Sequence, residues 1–278
     1  MRWMVALMAM LLSAVIPAPA FGAGPIASGA RPGATARRDV SWRPDAACDL
    51  ASVAALSARH PDVRQFVVLA TAGFAATSGN AFVAARGRDG VWRCQTDTVA
   101  ASSGSSGTRP LADRRSGDGT TPAGAFPLGN VTAWDGQTFS VFGNSPDPGV
   151  RSTVTYRPVR DEDCWGATAG TARYNHLVNL PNCLGPDEWL PRFGDVYSHA
   201  AVIGANLDPV SGDAPGETPL AAAIFLHRHS YTAGGRAKPT SGCVSLAAVD
   251  LVAFLRLLDP ALNTRFAIGP TTFLRTIA

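Results

Sequence analysis

The chain has 278 residues, 46% hydrophobic and 16% charged, and a formal net charge of +3 at pH 7. That composition suits a globular core large enough to fold without stapling. A charge this small, with no clustered basic face, argues against a nucleic-acid binder.

Residues 1–23 read as a secretory signal: Arg2 supplies a positive start, Val5 to Ile16 an apolar run, and Ala18-Pro19-Ala20 or Phe21-Gly22-Ala23 a small-residue cleavage site. Twelve apolar residues fall short of the roughly 20 a bilayer span needs. No later stretch is longer, so no stable span is expected after cleavage. Residues 24–45, rich in Gly, Pro, Ala and Arg, read as a flexible linker. The remainder, 46–278, fits one domain, expected to be secreted into the periplasm or cell envelope and to act as a monomer.

Within it, Asp49 to Arg59 carries Leu50, Val53 and Leu56 on one helical face. Arg64 to Thr71, Ala81 to Arg86 and Val91 to Gln95 read as strands, with Asp89-Gly90 as a turn. Ala101 to Arg109 reads as a loop. Residues 117–126, Gly-Asp-Gly-Thr-Thr-Pro-Ala-Gly-Ala-Phe, form a Pro- and Gly-stiffened turn that enters a strand at Phe126. Residues 160–191 are irregular, polar and aromatic, a length and texture typical of a lid or binding loop, and are expected to form a capping insertion. Tyr197 to Asn206 reads as a central strand, 207–219 as a loop, 247–258 as a helix stopped by Pro260, and Arg265 to Gly269 as a closing strand. Short, punctuated strands outnumber helices, which predicts a mainly β sandwich with a few short helices.

Five cysteines in a secreted chain leave one unpaired. Cys48, Cys94, Cys164 and Cys183 allow three pairings; Cys48–Cys94 with Cys164–Cys183 is expected because each bridge brackets one segment. A free thiol in an oxidising compartment is a liability unless it is used. That singles out Cys243.

The surroundings of Cys243 carry chemistry. An apolar run, Ala221 to Leu226, ends on His227; a polar Gly-rich loop follows, then Thr240-Ser241-Gly242-Cys243 and the amphipathic run. A strand that delivers His227 close to Cys243 makes a base and a nucleophile. Gly242 permits a tight turn and close approach of substrate, and the amides of Ser241 to Cys243 are candidate oxyanion donors. A helix starting just after Cys243 would favour its thiolate. His229 is a fallback base, and His199 is a further candidate near the site. His60 and His176 read as surface or loop residues. His227, His229 and Cys243 lack a clear fourth ligand, so no metal is expected.

The order His227, loop, Thr240-Ser241-Gly242-Cys243 resembles the catalytic signature of the YkuD-type L,D-transpeptidases. Gly117 to Phe126 is similar to that family's DGxTPxGxF segment, Asp250 stands where many members carry Asp, and Ala205-Asn206 is a looser match. The resemblance spans roughly Ser52 to Ile268. It implies a YkuD-like β-sandwich, Cys243 as nucleophile, His227 as base, no cofactor, and peptidoglycan as partner. It further implies loss of a terminal D-Ala from a stem tetrapeptide and a cross-link between two diamino acids.

Ser241 stands in place of the signature His, and Ser245 in place of the usual Arg or Asn, which bears on how a substrate carboxylate is held. Thr240, Arg228, Arg236, Lys238, His229 and His199 are the candidate substrate-binding residues. Residues 117–126 are expected to support the site, not to catalyse. Water as acceptor would make the protein an L,D-carboxypeptidase; loss of turnover would leave a silent wall-binding module.

Overall fold

The computed structural model describes residues 45–180 and 183–277, all within one compact unit, Val40–Ala278. The expected signal (1–23) and, apart from Asp45, the expected linker (24–45) lie outside the described residues.

The first half runs α1 (Leu50–Arg59), β1 (Gln65–Thr71), β2 (Ser78–Arg86), β3 (Trp92–Cys94), β4 (Val99–Ser102), β5 (Thr108–Pro110), β6 (Thr121–Pro127), β7 (Val131–Thr132), β8 (Thr138–Phe139) and β9 (Val141–Gly143). The second half runs β10 (Tyr156–Pro158), β11 (Asp163–Trp165), β12 (Leu177–Asn179), β13 (Glu188–Trp189), β14 (Ala200–Val202), β15 (Phe225–Arg228), β16 (Val244–Leu246), α2 (Ala248–Leu257), β17 (Arg265–Pro270) and α3 (Thr271–Leu274). The protein is mainly β, as expected.

One long sheet dominates, in the order β10-β9-β14-β15-β16-β4-β2-β1-β17-β6-β5, with β3 paired to β2. Alternation along its strands sorts the side chains onto two faces. Val67, Leu69, Val83, Ala201, Leu226, Val244, Leu246, Phe266 and Ile268 form the inner face and share one core with Leu251, Phe254 and Leu255 of α2. Because both ends of the strand order contribute to that core, the halves of the sheet face each other across it as a sandwich. The outer face is covered twice. Phe66, Val68, Phe82 and Ala84 lie beneath Val53 and Leu56 of α1 and Leu274 of α3. Phe142, Ala200, Val202, Phe225 and Cys243 lie beneath Trp165, Leu177, Leu190 and Tyr197. Cys243 therefore sits on the outer face, under a second layer.

That layer is a small sheet, β12-β11-β13, built from 160–191. Trp165 pairs in register with Leu177 on one side and Glu188 on the other, so these three share the face turned toward Cys243. The capping insertion thus covers the outer face of β15 and β16. Its base is a buried ion cluster: the Arg157 guanidinium, 1% exposed, binds both carboxylate oxygens of Asp163 and reaches Asp135 at 3.1 Å. Within the insertion, the Asp187 carboxylate accepts from the amides of Ala167, Thr168 and Leu184 at 2.7–2.9 Å, satisfying backbone donors that have no ladder partner. The disulfides are Cys48–Cys94 and Cys164–Cys183, and Cys243 is free.

Three expectations need correction. The stretch Ala101 to Arg109 is not a plain loop: Ala101 and Ser102 end β4, and Thr108 and Arg109 open β5. Small residues hid these strands from a hydrophobic pattern. Of Tyr197 to Asn206 only Ala200–Val202 is strand, while Tyr197 closes a 3-10 turn. The helix does not start at Cys243. Val244–Leu246 forms β16 and α2 begins at Ala248, so the positive end of α2 is a strand away from the thiol.

Candidate active site

β15 and β16 run parallel, with Leu226 opposite Val244 and His227 opposite Ser245. Continuing that register places Phe225 across from Cys243. Phe225, His227, Cys243 and Ser245 then share the outer face, and His227 and Cys243 are diagonal neighbours. Strands about 4.8 Å apart and a two-residue offset of about 6.6 Å set such a diagonal at roughly 8 Å, within reach of a bridging substrate group. No hydrogen bond joins the two among the described residues. Instead Cys243 Sγ donates to the Ala223 carbonyl at 3.2 Å and accepts from the Phe225 amide at 3.4 Å.

The carbonyl that holds the thiol is itself held. Ala223 has φ +54, a left-handed conformation that costs an L-residue about 1–2 kcal/mol. Its amide donates to Asn175 Oδ1 at 3.1 Å, and that oxygen also accepts from Trp165 Nε1 at 3.0 Å. Asn175 and Trp165 belong to the insertion, so the covering layer fixes the group that receives the thiol proton. Asn175 Nδ2 donates to the Asn206 carbonyl at 2.6 Å, and Asn206 Nδ2 to the Ala221 carbonyl at 2.8 Å, which ties the loop before β15 into the same frame.

Behind Cys243 the turn is tight. Gly242 has φ +149, and a Cβ there would come within 3.1 Å of the Thr120 carbonyl. Thr240 Oγ1 donates to the Cys243 carbonyl at 2.6 Å and accepts from the Gly242 amide at 3.1 Å. One of the three expected oxyanion donors is thus committed to Thr240 in this state, and Thr240 serves the turn. Thr121 Oγ1 also donates to the Cys243 carbonyl, at 3.0 Å. Residues 117–126 therefore act as a prop: Asp118 binds the amide and hydroxyl of Thr120, and Thr121 reaches the backbone of Cys243.

Arg114, 2% exposed, donates to the carbonyls of Thr120 at 2.9 Å and Leu220 at 2.6 Å, and its charge is felt at Cys243. Nothing in its spacing singles it out; only the fold brings it beneath Gly242.

Burial sets the protonation states. Cys243 is 7% exposed, and burial, then the nearby Glu188 carboxylate, push its thiol up to about 12, with the Phe225 amide, Arg114 and Tyr197 pulling the other way. Burial pushes His227 down to about 4, opposed by its bond to the Arg228 carbonyl. At neutral pH both partners are uncharged. The expectation of a thiol acidified by a helix end does not survive: no helix end reaches it, and desolvation dominates.

His227 Nδ1 lies 2.7 Å from the Arg228 carbonyl, which can only accept, so Nδ1 carries the proton and Nε2 keeps its lone pair. Tyr197 stacks edge-on to His227 at 5.4 Å and to Phe225 at 5.6 Å. His229, 7% exposed, is bonded through Nδ1 to Ser245 Oγ at 2.8 Å, so it is part of the buried face and not an open substrate contact. Ser245, where the resemblance expects a substrate-facing polar residue, is fully buried and spent on His229. His199 does not join the site. Its Nε2 meets the Pro146 carbonyl at 2.8 Å and its ring faces Tyr156, which packs on the inner core. Alternation explains this, since its neighbour Ala200 takes the outer face. Arg228 pairs with Asp195 at 2.9 Å, and Arg236 and Lys238 stand exposed on the 230–239 loop.

Tyr197, Glu188, Asn175, Ala223 and Arg114 are among the site residues that sequence reasoning missed. They come from irregular segments without periodicity, and no motif marks them. Among the described residues no group of three or more His, Cys, Asp or Glu is arranged to hold a metal, and no helix is long and apolar enough to cross a membrane. Comparison of the chain with family models, characterised proteins and solved structures returns no match.

Proposed function

We propose that the protein is a secreted cysteine acyltransferase that acts on peptidoglycan stem peptides by L,D-transpeptidation. The observation that carries this reading is the pairing of a free cysteine with a histidine on adjacent parallel strands. His227 has its Nδ1 proton committed to Arg228, which leaves Nε2 unprotonated, and the residue shares the outer face with Cys243. The two disulfides fit an oxidising compartment.

With the thiol near 12 and the imidazole near 4, no ion pair stands ready. Proton transfer accompanies attack, with His227 Nε2 as general base. Cys243 Sγ bonds to the carbonyl carbon of the diamino acid, the amide C–N bond breaks, and His227 returns the proton to the departing D-Ala amine. The acceptor amine then attacks the thioester and gives its proton to His227, and Cys243 leaves as the thiol. Backbone amides at Ser241 and Cys243 are the donors for the oxyanion. The insertion has to shift to admit the donor peptide.

Purified muropeptides supplied to the wild-type protein are expected to lose terminal D-Ala and yield cross-linked dimers, with Cys243→Ala and His227→Ala both lowering the rate by at least about a thousandfold. D-Ala release without dimers would make the protein a carboxypeptidase. The silent wall-binding module draws on one observation, the near-complete burial of Cys243; wall binding unaffected by Cys243→Ala, with no product, would favour it.

A further inference from the structure

The strands β14 and β15 pair as far as the Ile203 amide and the Ile224 carbonyl, 3.0 Å apart. Past that rung Ala223 and Asn206 both take left-handed conformations, at φ +54 and +57. The Ala223 amide donates to Asn175 Oδ1 at 3.1 Å, and the Asn206 carbonyl accepts from Asn175 Nδ2 at 2.6 Å. One carboxamide, supplied by the insertion, thus satisfies a donor and an acceptor of the main sheet at once. All three residues are buried, and Asn175 is only 1% exposed.

The place of this carboxamide matters because Ala223 also holds the nucleophile. Its carbonyl accepts from Cys243 Sγ at 3.2 Å, so the amide that binds Asn175 and the carbonyl that binds the thiol belong to one residue. The acyltransferase scheme needs the insertion to shift, and Asn175 leaves with it. The Ala223 amide and the Asn206 carbonyl then lose their partner, and buried backbone groups are costly to leave unpaired. A ligand that carries an amide N–H and an amide C=O restores both bonds without any change in the two residues that present them.

We propose that the Ala223 amide and the Asn206 carbonyl form an amide-binding subsite beside Cys243, filled at rest by the Asn175 carboxamide and during turnover by an amide group of the donor peptide. The inference deepens the acyltransferase reading and rests on it for the identity of the ligand, but its test uses no wall substrate.

Asn175→Gly empties the subsite: glycine holds the φ of +61 found there without steric cost and leaves a hole matched to acetamide. Methyl methanethiosulfonate, which carries no amide, reads the thiol, and it reports on Cys243 because the other four cysteines are bridged. Modification of Asn175→Gly is expected to be at least about tenfold faster than of wild type, the effect of a buried hydrogen bond lost from the closed state. Acetamide is expected to slow the variant saturably toward the wild-type rate. N,N-dimethylacetamide, which has no N–H for the Asn206 carbonyl, is expected to leave it unchanged, and neither solute to affect wild type. Slowing by N-methylacetamide assigns the subsite to a backbone peptide group; slowing by acetamide alone assigns it to a primary carboxamide. A wild-type rate in Asn175→Gly, no slowing by either N–H amide, or equal slowing by N,N-dimethylacetamide or in wild type overturns the proposal.

Thermal melting checks folding, and if Asn175→Gly does not fold, Asn175→Asp takes its place. Asp keeps an acceptor for the Ala223 amide but turns a second acceptor toward the Asn206 carbonyl, so a faster rate supports the subsite and a wild-type rate overturns it. Rescue by acetamide in a protein that turns over no stem peptide sinks the acyltransferase reading and leaves the subsite standing; Cys243-dependent turnover without rescue does the reverse.

Discussion

His227 and Cys243 are held uncharged by the same burial, and each leaves a mark on stability. The folded His227 titrates near 4 against an ordinary 6.5, so between these values the unfolded chain binds the extra proton and stability rises with pH. The loss on acidifying through this window is of the order of 3 kcal/mol. The Cys243 thiol is raised from 9 to about 12, so the unfolded chain releases its proton first and stability falls as pH climbs through that window. A plateau from about 6.5 to 9 is therefore expected from this pair. Urea unfolding across pH 4 to 10 checks it: His227→Gln should flatten the acid limb and leave the alkaline limb unchanged, and equal acid limbs in the two proteins would refute the assignment. At this scale the sequence was informative about identity and poor about environment. The odd cysteine and the Gly242 turn were legible because they follow from counting and from backbone sterics. The protonation of Cys243 was not, because it depends on Trp165, Glu188 and Tyr197, which approach from an irregular segment.

The insertion is the element that packs over Cys243. Its bridge, Cys164–Cys183, closes a short loop with a sequence separation of 19, and such a loop contributes about 3 kcal/mol in the chain-entropy picture. The inner core and the α1-covered core do not include it, so its loss should act on local opening more than on the whole fold. The Cys164→Ala, Cys183→Ala double variant is expected to label at Cys243 at least about tenfold faster at pH 8, with a melting temperature lower by up to about 10 °C. Labelling at the wild-type rate would mean that the insertion does not gate the thiol. The pairing of these cysteines was readable because each bridge spans one segment, and α1, β1 and α2 because their apolar periods are clean. The strand β16 was hidden: Val244, Ser245 and Leu246 are too few to show alternation and run straight into helical spacing. Tyr197 was absorbed into a strand for a similar reason, since an apolar run after it masks the 3-10 turn.

Across the whole molecule, the site is assembled from parts far apart in the chain. Thr121 opens β6, near one end of the strand order, yet it bonds to the Cys243 carbonyl in the middle, and Thr240 is bridged to Gly104. The mainly β class was legible from many short punctuated strands. This closure was not, since strand order depends on pairings such as β1 with β17 that leave no local trace.

Closure also imposes an order in time. The strand β15, the prop at residues 120–121 and the insertion must all be in place before Cys243 is sealed, and pairings this distant form slowly. Until then an open thiol shares an oxidising medium with four cysteines that must find their own partners, and exchange through it is available. Refolding from the reduced, denatured chain should accordingly give a higher native yield for Cys243→Ser than for wild type, with trapped wild-type species carrying Cys243 in mispaired bridges by peptide mass mapping. Equal yields and no such species would show that sealing outruns oxidation. The one cysteine that the folded protein keeps unpaired and buried is the one that most endangers it on the way there.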